Sequence, residues 1–279
     1  MLTKKTIGFL GSGNLAEALI KGLISSGMVS PGQIIAGDKD SQRLLYMAEA
    51  YEVKVFSKNH EVARSADIIL LTVKPDTLDD VLTEVAREIT PDKLVVSAVA
   101  GKTVAAIQDA LIRGGIHRPV PIIRAMPNTP ALIGEGATAL YAEEGVGEER
   151  LRLACAIMGA VGDVVVLEDE SLMDAVTGLS GSGPAYIFLF MDALINAGIK
   201  AGIPRDIAKR LVLKTTAGAA NLARKSGKEL TELIEMVASP GGTTVEGLRV
   251  FEEAGLASIV ADAVDRAAKR AKELSGMGR

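Results

Sequence analysis

"TIGFLGSGNLAEALIKGL", residues 6–23, decides the fold. Thr6–Leu10 is a short β-rich run, Gly11-Ser12-Gly13 follows, and from Asn14 to Ser26 apolar residues recur at helical spacing. Strand, glycine turn and helix in immediate succession make the first half of a βαβ unit. Gly11, Gly13 and Ala16 stand in a G-x-G-x-x-A pattern. The first glycine permits a tight turn, the second lets a diphosphate approach the backbone, and the small third residue lets the helix lie close to the strand. In that setting the amides of Ser12, Gly13, Asn14 and Leu15 meet phosphates at the positive end of a helix. A merely structural βα turn is the competing reading. The flanking elements, and a second strand that ends in acidic Asp38, argue against it.

Asp38 stands where a carboxylate binds the adenosine ribose hydroxyls of NAD and repels the 2′-phosphate of NADP. Lys39 follows at once and Arg43 lies one turn on, and either would neutralise that phosphate. NADH and NADPH therefore both stay open, with a slight lean to NADH. Asn59, after the third strand, reads either as a helix cap or as an adenosine ligand.

Outward from this turn the alternation continues. Expected strands are Thr6–Leu10, Ile34–Gly37, Val53–Phe56, Ile68–Val73, Leu94–Ala98 and Ile122–Met126. Expected helices are Asn14–Ser26, Ser41–Ala50, His60–Ser65, Leu78–Glu88 and Thr103–Leu111. Residues 137–142 and 163–168 add two further strands around a helix at 148–160. Such alternation predicts a Rossmann-like, doubly wound, mostly parallel sheet covered on both faces. After Asp169 the pattern is helical throughout: 171–178, 184–201, 205–225, 228–237, 244–253 and 257–274. The expected division is a dinucleotide-binding domain at 1–165 and an all-α domain at 166–279. Several of the later helices, "LVLKTTAGAANLA" (211–223) among them, are apolar on more than one face and need more than one neighbour. That predicts a homodimer with interleaved helices.

The bulk numbers narrow the function. A chain of 279 residues suits two domains, and 48% apolar residues exclude disorder. Aromatics are 3% with no Trp, so the core is aliphatic. Thirty-one basic against thirty-five acidic residues give −4, a balance that argues against nucleic acid or an anionic membrane as partner. Cys155 is the single cysteine, so no intrachain disulfide forms and a reducing, cytoplasmic home is expected. The opening apolar run breaks at Gly11, unlike a signal peptide. "AYIFLFMDALINAGI" (185–199), interrupted by Asp192 and Asn196, reads as too short to span a bilayer. His60 and His117 fall in no motif and read as surface residues, and no metal-ligand spacing is expected.

Four further stretches follow in order: "LLTVKPDTLDDVL" (70–82), "RAMPNTPALIGEGAT" (124–138), "DAVTGLSGSGPAYIFLFMDAL" (174–194) and "ASPGGTTVEGL" (238–248). With the fingerprint they cover nearly all of the chain, and together the set resembles pyrroline-5-carboxylate reductase. The resemblance implies reduction of the cyclic imine Δ1-pyrroline-5-carboxylate to L-proline, the last step of proline synthesis, with NADPH or NADH. It implies that Val73, Lys74 and Pro75 line the ribose–nicotinamide channel. Ala98, Ala100 and Met126, Pro127, Asn128 and Thr129 would lie near the nicotinamide. It also implies dimers that gather into a decamer. The glycines of "GLSGSGPAY" (178–186) are expected to permit a sharp helix–helix corner.

"SPGGTT" (239–244) then acquires a use. Consecutive amides at a helix N-terminus hold an anion, and the imino acid carries a carboxylate. Ser239, Gly241, Gly242, Thr243 and Thr244 are the expected substrate-binding residues. By the same resemblance Thr244 Oγ reaches the ring nitrogen and is the candidate catalytic residue, a bound water being the other proton source. Two rival readings remain. A β-hydroxyacid dehydrogenase-like reductase would use a lysine of the helical domain as its acid, yet Lys200, Lys209 and Lys214 sit in ordinary contexts. A non-catalytic NAD(P)H-binding module would have no use for the second turn.

Overall fold

The computed structural model describes residues 2–276, with side chains to residue 274. These residues form two compact units, Gly183–Asp265 and the remainder of the described chain.

The larger unit is built on one sheet. Its strands are β1 (Ile7–Leu10), β2 (Ile34–Gly37), β3 (Lys54–Phe56), β4 (Ile68–Leu71), β5 (Leu94–Ser97), β6 (Ile122–Met126), β7 (Gly136–Ala142) and β8 (Gly162–Leu167). They lie in the order β3-β2-β1-β4-β5-β6-β7-β8. All neighbours pair in parallel except β6 and β7, which are antiparallel. The first six follow the doubly wound dinucleotide-binding order, whose switch point falls between β1 and β4. The sheet is thus Rossmann-like and mostly parallel, as the alternation predicted.

Burial follows the period of two. Ile7 and Phe9 of β1 point into one apolar layer, which includes Leu19, Leu23 and Ile157 of the helices α1 (Asn14–Ser25) and α6 (Glu148–Gly159). Leu10 joins the opposite layer, with Val62, Leu82 and Ile107 from α3 (Asn59–Ser65), α4 (Leu78–Val85) and α5 (Val104–Arg113). A central parallel strand buried on both faces must be apolar throughout, which is why these segments read as runs rather than as alternation. Between β2 and β3 lies α2 (Ser41–Tyr51).

Some boundaries differ from expectation. β4 stops at Leu71 because Thr72 turns its hydroxyl back onto Gly11 O (2.7 Å) and Leu10 O (3.1 Å). The expected helix 171–178 is a short α7 (Leu172–Val176) followed by a π turn at Thr177–Gly181, in which Ser182 N donates to Thr177 O (2.8 Å). Counted with this π turn, the helical run extends from Leu172 to Lys200. The stretch read as too short to span a bilayer is therefore part of a 29-residue helical run, long and apolar enough by length and composition to cross one. The compact units divide after this π turn, later than the change in composition near residue 165. Met173 of α7 is buried and Asn128 donates to Ser180 O, which ties this segment to the sheet-bearing unit.

The smaller unit contains α8 (Gly183–Lys200), α9 (Arg205–Ser226), α10 (Leu230–Val237), α11 (Thr243–Glu253) and the first half of α12 (Leu256–Gly276). Among its described residues only Ile195 and Ala208 are buried apolar side chains. Phe188, Leu189, Leu211, Leu230, Met236 and Val237 all remain exposed. An exposed apolar surface of this extent marks a protein interface rather than a finished core.

Candidate active site

The glycine turn is held by a few hydrogen bonds. Gly11 N donates to Gly37 O (2.9 Å), and Ser12 Oγ donates to the same carbonyl (3.1 Å). Gly11 has φ +94°, and a Cβ there would meet Thr72 O at 2.9 Å, so only glycine fits. Gly13 is the N-cap of α1, and no side chain caps this helix. The first-turn amides therefore keep their donor capacity, reinforced by the helix dipole. A Cβ built on Gly13 meets nothing within 4 Å, so the space above it is open.

Asp38 follows β2 and lies beside the turn. Its Oδ2 accepts from Ser12 N (2.8 Å) and its Oδ1 from Asp40 N (3.0 Å). Ser12 is wholly buried with its amide committed to Asp38, so the amides of this turn that could meet a phosphate start after it rather than at Ser12. Asn59 does not act as a cap. It is the first residue of α3, and its backbone N and Nδ2 donate to Glu84 at 2.9 and 2.8 Å. His60 lies 3.6 Å from the same carboxylate. Arg43, read from sequence as free to meet a phosphate, is turned inward onto Glu17 and the Ser12 and Gly13 carbonyls. Sequence reasoning missed Glu17, whose only signal was its place in the first turn of α1.

Two cavities flank the turn. One, of ≈ 290 Å³, is lined by Gly11, Gly13, Asp38, Lys39, Asn59, Val73 and Lys74. The other, of ≈ 300 Å³, is lined by Asn14, Leu15, Ala98, Ala100, Met126, Pro127, Asn128 and Thr129, with Gly181 of the π turn. The expected cofactor residues thus fall into two pockets, one on the Asp38 side of the turn and one on the Met126 side. Pro75 starts a short 3₁₀ turn, Pro75–Thr77, and is exposed. An uncapped helix start, open space over Gly13 and a carboxylate at Asp38 together fit a dinucleotide.

Asn128 fixes the wall of the second pocket. Its Nδ2 donates to Ser180 O (3.1 Å) while its Oδ1 accepts from Ala137 N (2.9 Å). Asn128→Asp replaces the donor by an oxygen facing Ser180 O and is expected to lower stability by about 1–3 kcal/mol. Chemical denaturation of the two proteins checks this.

In the smaller unit, Gly242 N donates to Ser239 O (2.9 Å), closing a turn in which Gly241 has φ +70°. α11 starts at Thr243, with Gly242 as N-cap and no side-chain cap. Ser239 Oγ lies 2.5 Å from where a Gly242 Cβ would stand, so glycine is required for the hydroxyl to sit beside this helix start. The turn offers bare first-turn amides and the hydroxyls of Ser239, Thr243 and Thr244 to an anion.

Comparison with known proteins agrees with this plan. A family model for pyrroline-5-carboxylate reductase dimerisation matches residues 170–274, and one for NADP oxidoreductase, coenzyme F420-dependent, matches residues 6–101. The chain is 41% identical to a pyrroline-5-carboxylate reductase of Synechocystis over 96% of its own length and 97% of the relative's. Among solved structures, a pyrroline-5-carboxylate reductase from Coxiella burnetii superposes with a TM-score of 0.91 at 36% identity, covering 98% of this chain and 99% of that one. The Plasmodium falciparum pyrroline carboxylate reductase, solved with NADP bound, gives 0.84 at 29% identity over 98% of each chain. With a relative of that identity along almost the whole chain, the protein described here belongs to the pyrroline-5-carboxylate reductase family.

Proposed function

We infer that the chain is an NAD(P)H-dependent reductase that converts Δ1-pyrroline-5-carboxylate to L-proline, the closing step of proline synthesis. The observation that carries this reading is a pair of uncapped, glycine-led helix starts, at Gly13 and at Gly242, in a chain similar to this family over its whole length.

In this reading the amides of Asn14 and Leu15 hold the diphosphate, and Asp38 holds the adenosine ribose. Lys39 and Asn59 border that end. Val73, Lys74 and Pro75 flank the channel towards the nicotinamide, and Ala98, Ala100, Met126, Pro127 and Asn128 form its apolar wall. When bound, a reduced nicotinamide supplies the hydride. Ser239 and the backbone of Gly241, Gly242, Thr243 and Thr244 hold the substrate carboxylate and so fix the orientation of the ring. C5 gains a hydride, the ring nitrogen gains a proton, and the C=N bond becomes single. Thr244 Oγ donates a hydrogen bond to that nitrogen, which polarises the imine and passes on a solvent proton.

The assay is loss of the NAD(P)H absorbance on adding pyrroline-5-carboxylate, with L-proline identified as product. If no proline forms with either cofactor, the reading fails. Thr244→Ala is expected to lower kcat/KM for the imine by about a hundredfold, the range for losing one positioned donor. Cofactor Kd should stay unchanged, and equal losses in both would move the substrate site elsewhere.

The dimerisation-model match covers the helices whose apolar side chains stay exposed, which supports an oligomer built on them. A homodimer through these helices, with dimers assembling into a decamer, is the arrangement we propose, and light scattering of the purified protein tests both steps. It also gives the apolar run Leu172–Lys200 a protein partner in place of lipid. A cytoplasmic location suits the lone Cys155.

A further inference from the structure

We propose that the cofactor site of this enzyme selects NADH over NADPH, and that Glu17, Asp38 and Asp40 make the choice by each occupying one group that would otherwise receive a 2′-phosphate. The inference rests on the function proposed above and names the cofactor of that same site.

A 2′-phosphate next to the adenosine ribose needs hydrogen-bond donors or a cation, and besides the exposed Lys39 three such groups lie at this end of the groove. The Ser12 amide is taken by Asp38 Oδ2 at 2.8 Å. The N-terminus of α2 is capped by Asp40, whose Oδ1 accepts from Gln42 N (2.9 Å) and Arg43 N (3.2 Å). An acidic cap removes those donors and puts a negative charge where the helix dipole would welcome an anion. The third is Arg43. Its Nη2 pairs with Glu17 Oε2, its Nε donates to Ser12 O, and its guanidinium lies 5.1 Å from the Tyr46 ring centroid.

Glu17 holds Arg43 firmly because Glu17 is itself held. Its Oε1 accepts from Tyr46 OH and Tyr51 OH, both at 2.8 Å. Burial pushes the Glu17 carboxyl up, but hydrogen bonds from Arg43, Tyr51 and Tyr46 outweigh it and keep the pKa below the ordinary carboxylate value. The carboxylate is therefore ionised at neutral pH. Lys39 also borders the groove but is exposed, and a pair it made with a phosphate would be weak and screened by salt. NADH meets none of this opposition, since its 2′-hydroxyl donates to Asp38. Rejection by fixed like charge is an efficient way to build such a difference.

The experiment measures Kd by nucleotide fluorescence, and kcat/KM where turnover occurs, for NADH and NADPH on the same preparations. Wild type is expected to favour NADH by on the order of tenfold or more. Glu17→Gln keeps the side-chain shape but removes the charge that holds Arg43, and Asp40→Ser keeps a cap without the charge. Each should move the NADPH/NADH ratio upward by about three- to tenfold, and the combination with Asp38→Ser should reverse it. A ratio of two ligands on one sample does not depend on the fraction folded, so partial destabilisation does not mask the result. Equal or better binding of NADPH by wild type, or ratios unmoved in the variants, overturns the proposal. Absence of turnover with both cofactors would instead refute the assigned reaction, while the Kd ratio would still decide selectivity.

Discussion

Gly13→Asp is expected to yield a protein slightly more stable than wild type that no longer binds its cofactor. Gly13 has φ −68° and ψ −171°, a conformation open to any residue, and a Cβ there meets nothing within 4 Å. The position is the N-cap of α1, and that helix has no side-chain cap. An aspartate would supply one, worth a few tenths of a kcal/mol over glycine and roughly 1 °C in unfolding midpoint. The same carboxylate would fill the open space over the helix start and take the amides that hold the diphosphate. Like charge and lost donors together should raise Kd for NADH and NADPH at least about a hundredfold. Gly11→Ala makes the contrast within one motif. There the added Cβ would meet Thr72 O at 2.9 Å from a left-handed backbone, so stability and binding both fall. Thermal melts and fluorescence titrations of the two variants check this. A Gly13→Asp enzyme with wild-type cofactor affinity would remove the diphosphate from this helix start.

The contrast also shows what a sequence read alone carries. Local signals were legible: the runs that became β1 to β6, the glycine turn, and Asp38 at the end of β2. These depend on near neighbours or on a period of two or 3.6. What failed depends on residues far apart in the chain. Arg43 looked free because Glu17 lies 26 residues before it, and nothing local pairs them. Asn59 looked like a cap because Glu84, which takes its amide, is 25 residues away. The π turn was also hidden, since Thr177–Gly181 reads by composition as helix followed by a glycine break. Pairings of that kind arise only when the sheet order brings α1, α2, α3 and α4 to their places, and here they bear directly on which cofactor the groove accepts.

A second large effect comes from another such distant pair. Arg124 of β6 has a side chain 8% exposed, and its Nη1 lies 2.7 Å from Glu170 Oε1. The same oxygen accepts from Val104 N at 2.8 Å, beside the Thr103 hydroxyl that caps Ala106 N. Glu170 therefore does two things: it neutralises a guanidinium that solvent scarcely reaches, and it satisfies the first amide of α5. Glu170→Ala leaves the charge buried without its partner, which costs about 3–5 kcal/mol, and drops the unfolding midpoint by roughly 10 °C. Glu170→Gln should cost less, because its amide oxygen still accepts from Val104 N. The double change Arg124→Met with Glu170→Ala should recover much of the loss, since an apolar side chain in place of the guanidinium needs no counter-charge. Calorimetry of the four proteins separates the terms. A Glu170→Ala loss below about 1 kcal/mol would mean that water reaches Arg124 and that the pair behaves as a surface bridge.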